Sequence, residues 1–495
     1  MGKELASEIL AACADAGVRE FCVCAGARNV GLVLGLERSE GCRVWHFYDE
    51  RAAAFFALGR IMQGREPVAV VTTSGTAVAE LLPATIEAHY QSLPLVLLTA
   101  DRPRRFRGSG APQAIEQVGL FSNFARCLDV EGEGSEVSEF LSRAIRDSLP
   151  AHLNVCFEEP GAHALASLEG LTFCKPEPSG RPAEDAQALL DYFLEDCEGL
   201  LVMLGNLQEY EREGLLEFLQ RLGAPVLAEA GSGLREKLPG LLQHEAPAGV
   251  RKVLRIGGVP SARFWRDLED RADVRVFSVS RGRFSGLARG GEVIGSADWR
   301  ELKPAATWDG VGSSSRSPVL SGEPRWFRFL SEQIPPGSLV FLGNSLPIRE
   351  WNVAATMDDR GLRCFSCRGA NGIDGALSTF FGLSEQDAES WAIVGDLTTL
   401  YDLSAPWILQ QLSPGKRRIV VINNGGGRIF SKLPALAGLS DSERRAIEND
   451  HALGFEHWAA MWGMDYLRVE NEKQFVVDSG VSSVVIEIVI PGGEI

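Results

Sequence analysis

The chain lacks any apolar run of 18 residues, and a membrane-spanning helix needs about 20. It also lacks the apolar core of a signal peptide: residues 1–17 mix charged and apolar side chains at helical spacing, which reads as a cytoplasmic protein. Positive charge is in short supply. Lys and Arg number 49 against 66 Asp and Glu, a net charge of −17. That argues against nucleic acid or an anionic membrane surface as the main partner. An anionic substrate would then need local clusters of arginine. The ten cysteines lack convincing metal-ligand spacing. Cys22-x-Cys24 falls within an apparent strand, 21–25, and is poorly placed for a zinc knuckle. Cys364-x-x-Cys367 precedes an arginine and a glycine-rich turn. Against metal or redox chemistry, both pairs read better as buried small side chains. What remains is ordinary: 495 residues, 45% hydrophobic and 23% charged, a globular chain of roughly three domains.

Buried strands are expected at 21–25, 68–72, 95–99 and 153–157, with helices over 50–62 and 76–90. A Pro/Gly-rich linker covers 170–185. Strand candidates 200–204, 225–228, 253–256 and 274–279 repeat the style, with few convergent polar groups. A second linker covers 303–324, and α/β patterning resumes to the end. Alternation of this kind predicts parallel sheets covered by helices, in domains 1–168, 186–302 and 325–495.

Two short segments carry the strongest chemical signal. Gly395-Asp396-Leu397 and Asn423-Asn424-Gly425 each follow a β-like run, 391–394 and 419–422. Asp396 and Asn423 are 27 positions apart, room for one helix between two parallel strands. That spacing predicts a carboxylate and a carboxamide side by side at the C-terminal sheet edge, where α/β proteins bind ligands. Two hard oxygens and a free Gly425 carbonyl suit Mg²⁺. Gly425 to Gly427 let backbone approach a diphosphate. The alternative is a plain βαβ turn, where Asp and Asn are common. Ser74 and Asp101 repeat the 27-residue spacing, either as an echo between related domains or as generic βαβ geometry.

Other segments are weaker alone. Glu50 sits at the start of a helix, where a carboxylate is favoured by the dipole; a buried Glu against a cofactor ring is the functional reading. Ser74-Gly75 lies in a small-residue turn that admits a ligand close to backbone. Arg102 stands beyond a strand end, and Gln113 follows. Ser345 and Arg349 are four apart, facing one way if helical. Arg368 opens a glycine-rich stretch that reaches Ile373, either core or a prop for a cofactor.

Together the segments DERAAAFFALG, TSGTAVAEL, TADRP, GNSLPIRE, RGANGIDGALST, GDLTTLYDL and NNGGGRIFSKLP closely resemble the 2-succinyl-5-enolpyruvyl-6-hydroxy-3-cyclohexene-1-carboxylate synthases, thiamine diphosphate enzymes of menaquinone and phylloquinone biosynthesis. The likeness covers the first and third segments well and the middle thinly. In that family GDL replaces the GDG of other thiamine diphosphate enzymes, so Leu397 fits.

The resemblance implies three doubly wound α/β domains of the thiamine diphosphate-dependent decarboxylase type. It implies decarboxylation of 2-oxoglutarate and 1,4-addition of the resulting carbanion to isochorismate. By resemblance, Asp396, Asn423 and the Gly425 carbonyl hold Mg²⁺ (or Mn²⁺) on the diphosphate. Ser74, Gly75, Gly395, Leu397 and Gly426 join them around the cofactor. Glu50 activates the cofactor, Ile373 shapes it and Gln113 assists catalysis. Arg28, Arg102, Arg349 and Arg368, with Ser345, Ile429, Phe430 and Arg263, meet the two dicarboxylates; guanidinium forks bind carboxylates bidentately. A homodimer or homotetramer is implied. The family's Pro-Gly-Ser-Arg-Ser is Ala25-Gly26-Ala27-Arg28-Asn29 here, and its Ala-Asn-Gln-Ala is Ala111-Pro112-Gln113-Ala114. Both departures touch the expected acceptor site. The competing readings are another thiamine diphosphate-dependent decarboxylase or carboligase, and a cofactor-binding protein without activity.

Overall fold

The structure, a computed structural model, describes residues 2–159, 185–282, 284–304, 306–308, 320–436, 438–478 and 480–490. Most of the linker expected at 170–185, and the centre of the one at 303–324, lie outside the described residues. The chain divides into two compact units. One comprises Met1–Gly180, Asp374–Gln386 and Tyr401–Ser413; the other comprises Arg181–Ile373, Asp387–Leu400 and Pro414–Ile495.

The first unit holds a six-stranded parallel sheet: β1 (Glu20–Cys24), β2 (Arg43–Phe47), β3 (Val68–Thr72), β4 (Leu95–Asp101), β5 (Arg126–Val130) and β6 (Ala151–Cys156). Their spatial order is β2-β1-β3-β4-β6-β5. Every residue of β3 and β4 is buried, as in central strands covered on both faces. The order reverses between β1 and β3, which opens a crevice at their C-terminal ends. The single helix expected over 76–90 is two, Thr76–Ala79 and Leu82–Gln91. Pro83 lies in the first turn of the second; its ring excludes the carbonyl that a continuous helix would place there.

The helix Glu50–Gly64 is capped by Asp49, which accepts the Ala52 N–H at 3.0 Å. Ala52 to Met62 are all buried, as expected of a helix enclosed by its neighbours. It packs on the helix Ala376–Leu383 at glycine. A Cβ on Gly59 would lie 2.1 Å from the Thr379 carbonyl oxygen, and one on Gly382 would lie 2.2 Å from that of Phe56. The two backbones touch, and no side chain fits between them.

The second unit holds two parallel sheets. One contains β7 (Leu200–Leu204), β8 (Val226–Ala228), β9 (Lys252–Ile256), β10 (Arg275–Val279) and β11 (Glu292–Ile294), in the order β11-β10-β9-β7-β8. The other contains β12 (Leu339–Leu342), β13 (Arg363–Phe365), β14 (Glu389–Gly395), β15 (Lys416–Asn423), β16 (Asp465–Val469) and β17 (Ser483–Val489), in the order β13-β12-β14-β15-β17-β16. The doubly wound α/β architecture expected from the alternation is therefore present three times. In the last sheet the order reverses between β12 and β14, and the segments leaving those strands carry Ser345 and Asp396.

Candidate active site

β14 and β15 are neighbours, with Gly395 paired to Ile422. Asp396 leaves β14 and opens the helix Asp396–Tyr401. It borders a cavity of about 220 Å³ whose lining includes Ser345, Ile373, Gly395, Leu397, Gly426, Ile429 and Phe430, all expected site residues. The Asp396 side chain is buried. Oδ1 accepts the Leu397 N–H at 2.6 Å and Oδ2 the Gly426 N–H at 2.9 Å. Burial pushes the carboxyl pKa up, and those N–H groups pull against it. His451 Nδ1 accepts the Leu453 N–H at 3.2 Å, so its proton sits on Nε2, 3.4 Å from Asp396 Oδ2.

Asn423 and Gly425 do not meet the cavity as expected. β15 runs one residue further than the apolar run, so Asn423 is still paired, with Val489. Successive strand residues point to opposite faces. Asn423 therefore turns inward, its Nδ2 donating to Glu487 at 2.6 Å and to the Leu453 carbonyl at 2.8 Å. The Gly425 carbonyl is not free: it accepts the His451 N–H at 3.1 Å and Arg428 at 3.3 Å. Asn424 and Gly426 line the cavity in their place. Asn424 Oδ1 is buried there without a hydrogen-bond partner.

Sequence reasoning missed two further residues here. Glu323, the first residue of the helix Glu323–Gln333, is fully buried on the cavity wall. Its Oε2 accepts from Asn424 Nδ2 at 3.0 Å. Burial, with Glu350 and Asp396 nearby, pushes its pKa up to about 7. Arg428 clips the glycine loop: Nε donates to the Asn424 carbonyl at 3.0 Å, and the guanidinium pairs with Glu448 and Asp450. The only hint in the sequence was their place beside Gly322-Glu323-Pro324 and Gly425-Gly426-Gly427.

Beyond β12, Ser345 caps the helix Leu346–Ala354 with φ +70°, and the Arg349 guanidinium donates to its carbonyl. Burial, then Arg368, lowers the Arg349 pKa. Arg368 is buried and donates to Asn344 Oδ1 at 3.0 Å. Asn344 in turn donates to the Cys367 and Gly372 carbonyls, both at 2.7 Å. Glu229 Oε2 lies 4.0 Å from Arg368 Nε. Arg263 stands at the surface of the second unit. It is 73% exposed on the helix Arg263–Asp267 and pairs with Asp267 one turn on. Arg266, on the same helix, adds a smaller charge effect on Arg349 than Arg368 and Glu229 do.

In the first unit, the segments that follow β1, β2, β3 and β4 carry the remaining expected residues. Glu50 is half-buried, and burial raises its carboxyl pKa. Ser74 is buried, and the Gly75 N–H donates to Gln117 Oε1 at 2.9 Å. Gln113 adopts φ +57°, and its Cα would lie 3.3 Å from a Cβ on Gly75. Arg28 donates to the Phe157 carbonyl at 3.2 Å. Burial, then the charge of Arg102, lowers its pKa. Arg102 Nε donates to the Pro112 carbonyl at 2.9 Å. Asn29 is buried and closes the turn: its Oδ1 accepts the Gly26 N–H at 2.8 Å and its Nδ2 donates to the Cys24 carbonyl at 2.9 Å.

The donors suit a hard divalent cation beside an anionic ligand. Asp396 is a buried carboxylate, Asn424 Oδ1 an unused oxygen on the same cavity, and the Gly426 carbonyl accepts one N–H, from Arg428 at 2.9 Å, leaving a second lone pair. Residues 3–120 match the family described as thiamine pyrophosphate enzyme, N-terminal TPP binding domain. The chain is 41% identical to the 2-succinyl-5-enolpyruvyl-6-hydroxy-3-cyclohexene-1-carboxylate synthase of Bdellovibrio bacteriovorus, over 94% of this chain and 91% of that protein. Identity to the synthase of that name from Akkermansia muciniphila is 42%, over 94% and 92%. For Synechococcus sp. it is 34%, over 89% and 85%.

Proposed function

This chain belongs to the 2-succinyl-5-enolpyruvyl-6-hydroxy-3-cyclohexene-1-carboxylate synthase family, and on that premise we propose that it joins 2-oxoglutarate to isochorismate with loss of CO₂. It is a thiamine diphosphate-dependent transferase of menaquinone biosynthesis. In the proposed reaction the C1–C2 bond of 2-oxoglutarate breaks. The four-carbon remainder adds 1,4 to the isochorismate ring, and the enolpyruvyl group stays in place.

Bound thiamine diphosphate supplies the carbon nucleophile and the electron sink for decarboxylation. Burial raises the Glu50 carboxyl pKa, and that group would share a proton with the pyrimidine ring. Ser74 and Gly75 offer the small-residue turn beside that ring. Asp396, Asn424 Oδ1 and the Gly426 carbonyl hold Mg²⁺, or Mn²⁺ in its stead. Gly395 and Leu397 border the diphosphate, and Ile373 props the thiazolium. Arg349 and Arg368, with Ser345, hold the distal carboxylate of 2-oxoglutarate. Arg28, Arg102 and Gln113 hold isochorismate, and Ile429 and Phe430 form an apolar wall that excludes water. The observation that carries the cofactor reading is Asn424 Oδ1, a buried acceptor without a partner on the same cavity as Asp396.

Three domains, 1–168, 186–302 and 325–495, serve as pyrimidine-binding, central and diphosphate-binding modules. A homodimer or homotetramer in the cytoplasm is the proposed form. Tyr48, Tyr401, Leu403 and Trp407 are exposed on the first unit, with the Tyr48 and Trp407 rings 4.8 Å apart, and apolar patches of this kind mark interfaces. No helix among the described residues is long and apolar enough to cross a membrane.

The test is consumption of 2-oxoglutarate by purified protein with Mg²⁺ and thiamine diphosphate, with and without isochorismate. Isochorismate-dependent turnover is expected. Preference for pyruvate would favour a different carboligase, whose smaller monoacid would leave one arginine pair without a carboxylate.

A further inference from the structure

Asn424 has one donor end and one acceptor end, and only one orientation leaves its oxygen unpartnered on the cavity that Asp396 borders. Its Nδ2 donates to Glu323 Oε2 at 3.0 Å, while Oδ1 is buried with no partner. Glu323 is fully buried on the same cavity, and its other oxygen, Oε1, also has no partner. We infer that Glu323 is the positioning residue that locks the Asn424 carboxamide with its oxygen toward the divalent cation. The inference rests on the proposed metal site.

The lock is one of hydrogen-bond polarity. Turning the amide over would set Asn424 Oδ1 against Glu323 Oε2, two acceptors at hydrogen-bond distance. An ionised carboxylate has no donor to offer the turned amide. The lock is therefore a property of the carboxylate, which accepts at both oxygens. Outer partners of this kind fix metal ligands and matter almost as much as the ligands themselves.

The decisive measurement is Mn²⁺ affinity in the presence of thiamine diphosphate, read as free Mn²⁺ by electron paramagnetic resonance, across a double-substitution cycle. Glu323→Gln can present either an oxygen or an NH₂ to Asn424, so the lock is lost. Mn²⁺ affinity is expected to weaken about tenfold, with the melting temperature little changed. Asn424→Asp has two equivalent oxygens and needs no orienting. On that background Glu323→Gln is expected to cause no loss, or to tighten binding by removing a neighbouring carboxylate. Equal weakening on both backgrounds would mean that Glu323 acts only through charge or packing, and would overturn the inference. So would unchanged affinity in the single variant. Absence of Mn²⁺ binding by the unaltered protein would instead overturn the metal site itself.

Discussion

The Asp396 carboxylate and the Gly426 backbone meet across the ends of two neighbouring strands, Oδ2 2.9 Å from N. That bond ties the loop after β15 to the carboxylate it must cooperate with. Asp396→Asn keeps the shape, removes the charge and offers a donor where Gly426 already donates. The Mg²⁺ concentration for half-maximal activity is expected to rise at least about tenfold. An unchanged requirement in a Mg²⁺ titration would speak against Asp396 as a ligand.

Glu50 and Asp396 belong to different units, so activation and anchoring should separate. Glu50→Gln is expected to lower turnover by roughly 10²- to 10⁴-fold. Calorimetric affinity for thiamine diphosphate with Mg²⁺ should stay within a few-fold. Hydrogen–deuterium exchange at the cofactor's C2, followed by NMR, should slow with turnover. Parallel loss of binding and rate would contradict the division.

The arginines form two pairs: the charge of Arg102 acts on Arg28, and that of Arg368 on Arg349. Arg349→Ala is expected to raise KM for 2-oxoglutarate by about 10- to 100-fold, the loss of roughly 1.5–3 kcal/mol of charged hydrogen bonding, with KM for isochorismate nearly unchanged. Arg102→Ala should do the reverse. If both variants affect the same substrate, the assignment of pairs to substrates fails.

His152 is a buried residue of β6 in the first sheet, with Nε2 2.8 Å from Thr99 Oγ1. Burial lowers its pKa from 6.5 to about 4. Above 6.5 the imidazole is neutral whether folded or unfolded, and its contribution to stability is complete. As pH falls from 6.5 towards 4, the unfolded chain takes the proton first, and stability drops by on the order of 3 kcal/mol. His152→Gln should flatten the fall of melting temperature across that window. An equal slope in both proteins would refute the link.

The contact at Gly59 tolerates no methyl. Gly59→Ala places Cβ against the Thr379 carbonyl oxygen, and overpacking of this kind costs about 1–3 kcal/mol. Calorimetry should show a melting temperature several degrees lower, with the affinity of the surviving fold for Mn²⁺ unchanged.

Where a strand is buried on both faces, its sequence announced it: β3, β4, β7, β14 and β15 each contain a continuous apolar run of four residues or more. The edge strands β2 and β5 were missed because they are only partly buried, and neither presents such a run. Asp396 was legible because it stands first after its strand. Asn424 was not, since choosing between two adjacent asparagines depends on where β15 ends, and one residue of pleat reverses the face. Glu323 was hidden in an apparent linker. Gly322-Glu323-Pro324 reads as loop, yet proline is well accepted in the first turn of a helix, and that is where it lies.

The first unit draws on residues as distant as Tyr401–Ser413. During synthesis at about 5–20 residues per second, the interval between the appearance of Gly180 and that of Ser413 is roughly 10–50 s. For most of it, until Leu383 has appeared, the helix Glu50–Gly64 waits without the glycine-faced helix that covers it. The nascent chain therefore carries an unfinished apolar surface for most of its translation, and a fragment ending at Gly180 would carry that surface permanently.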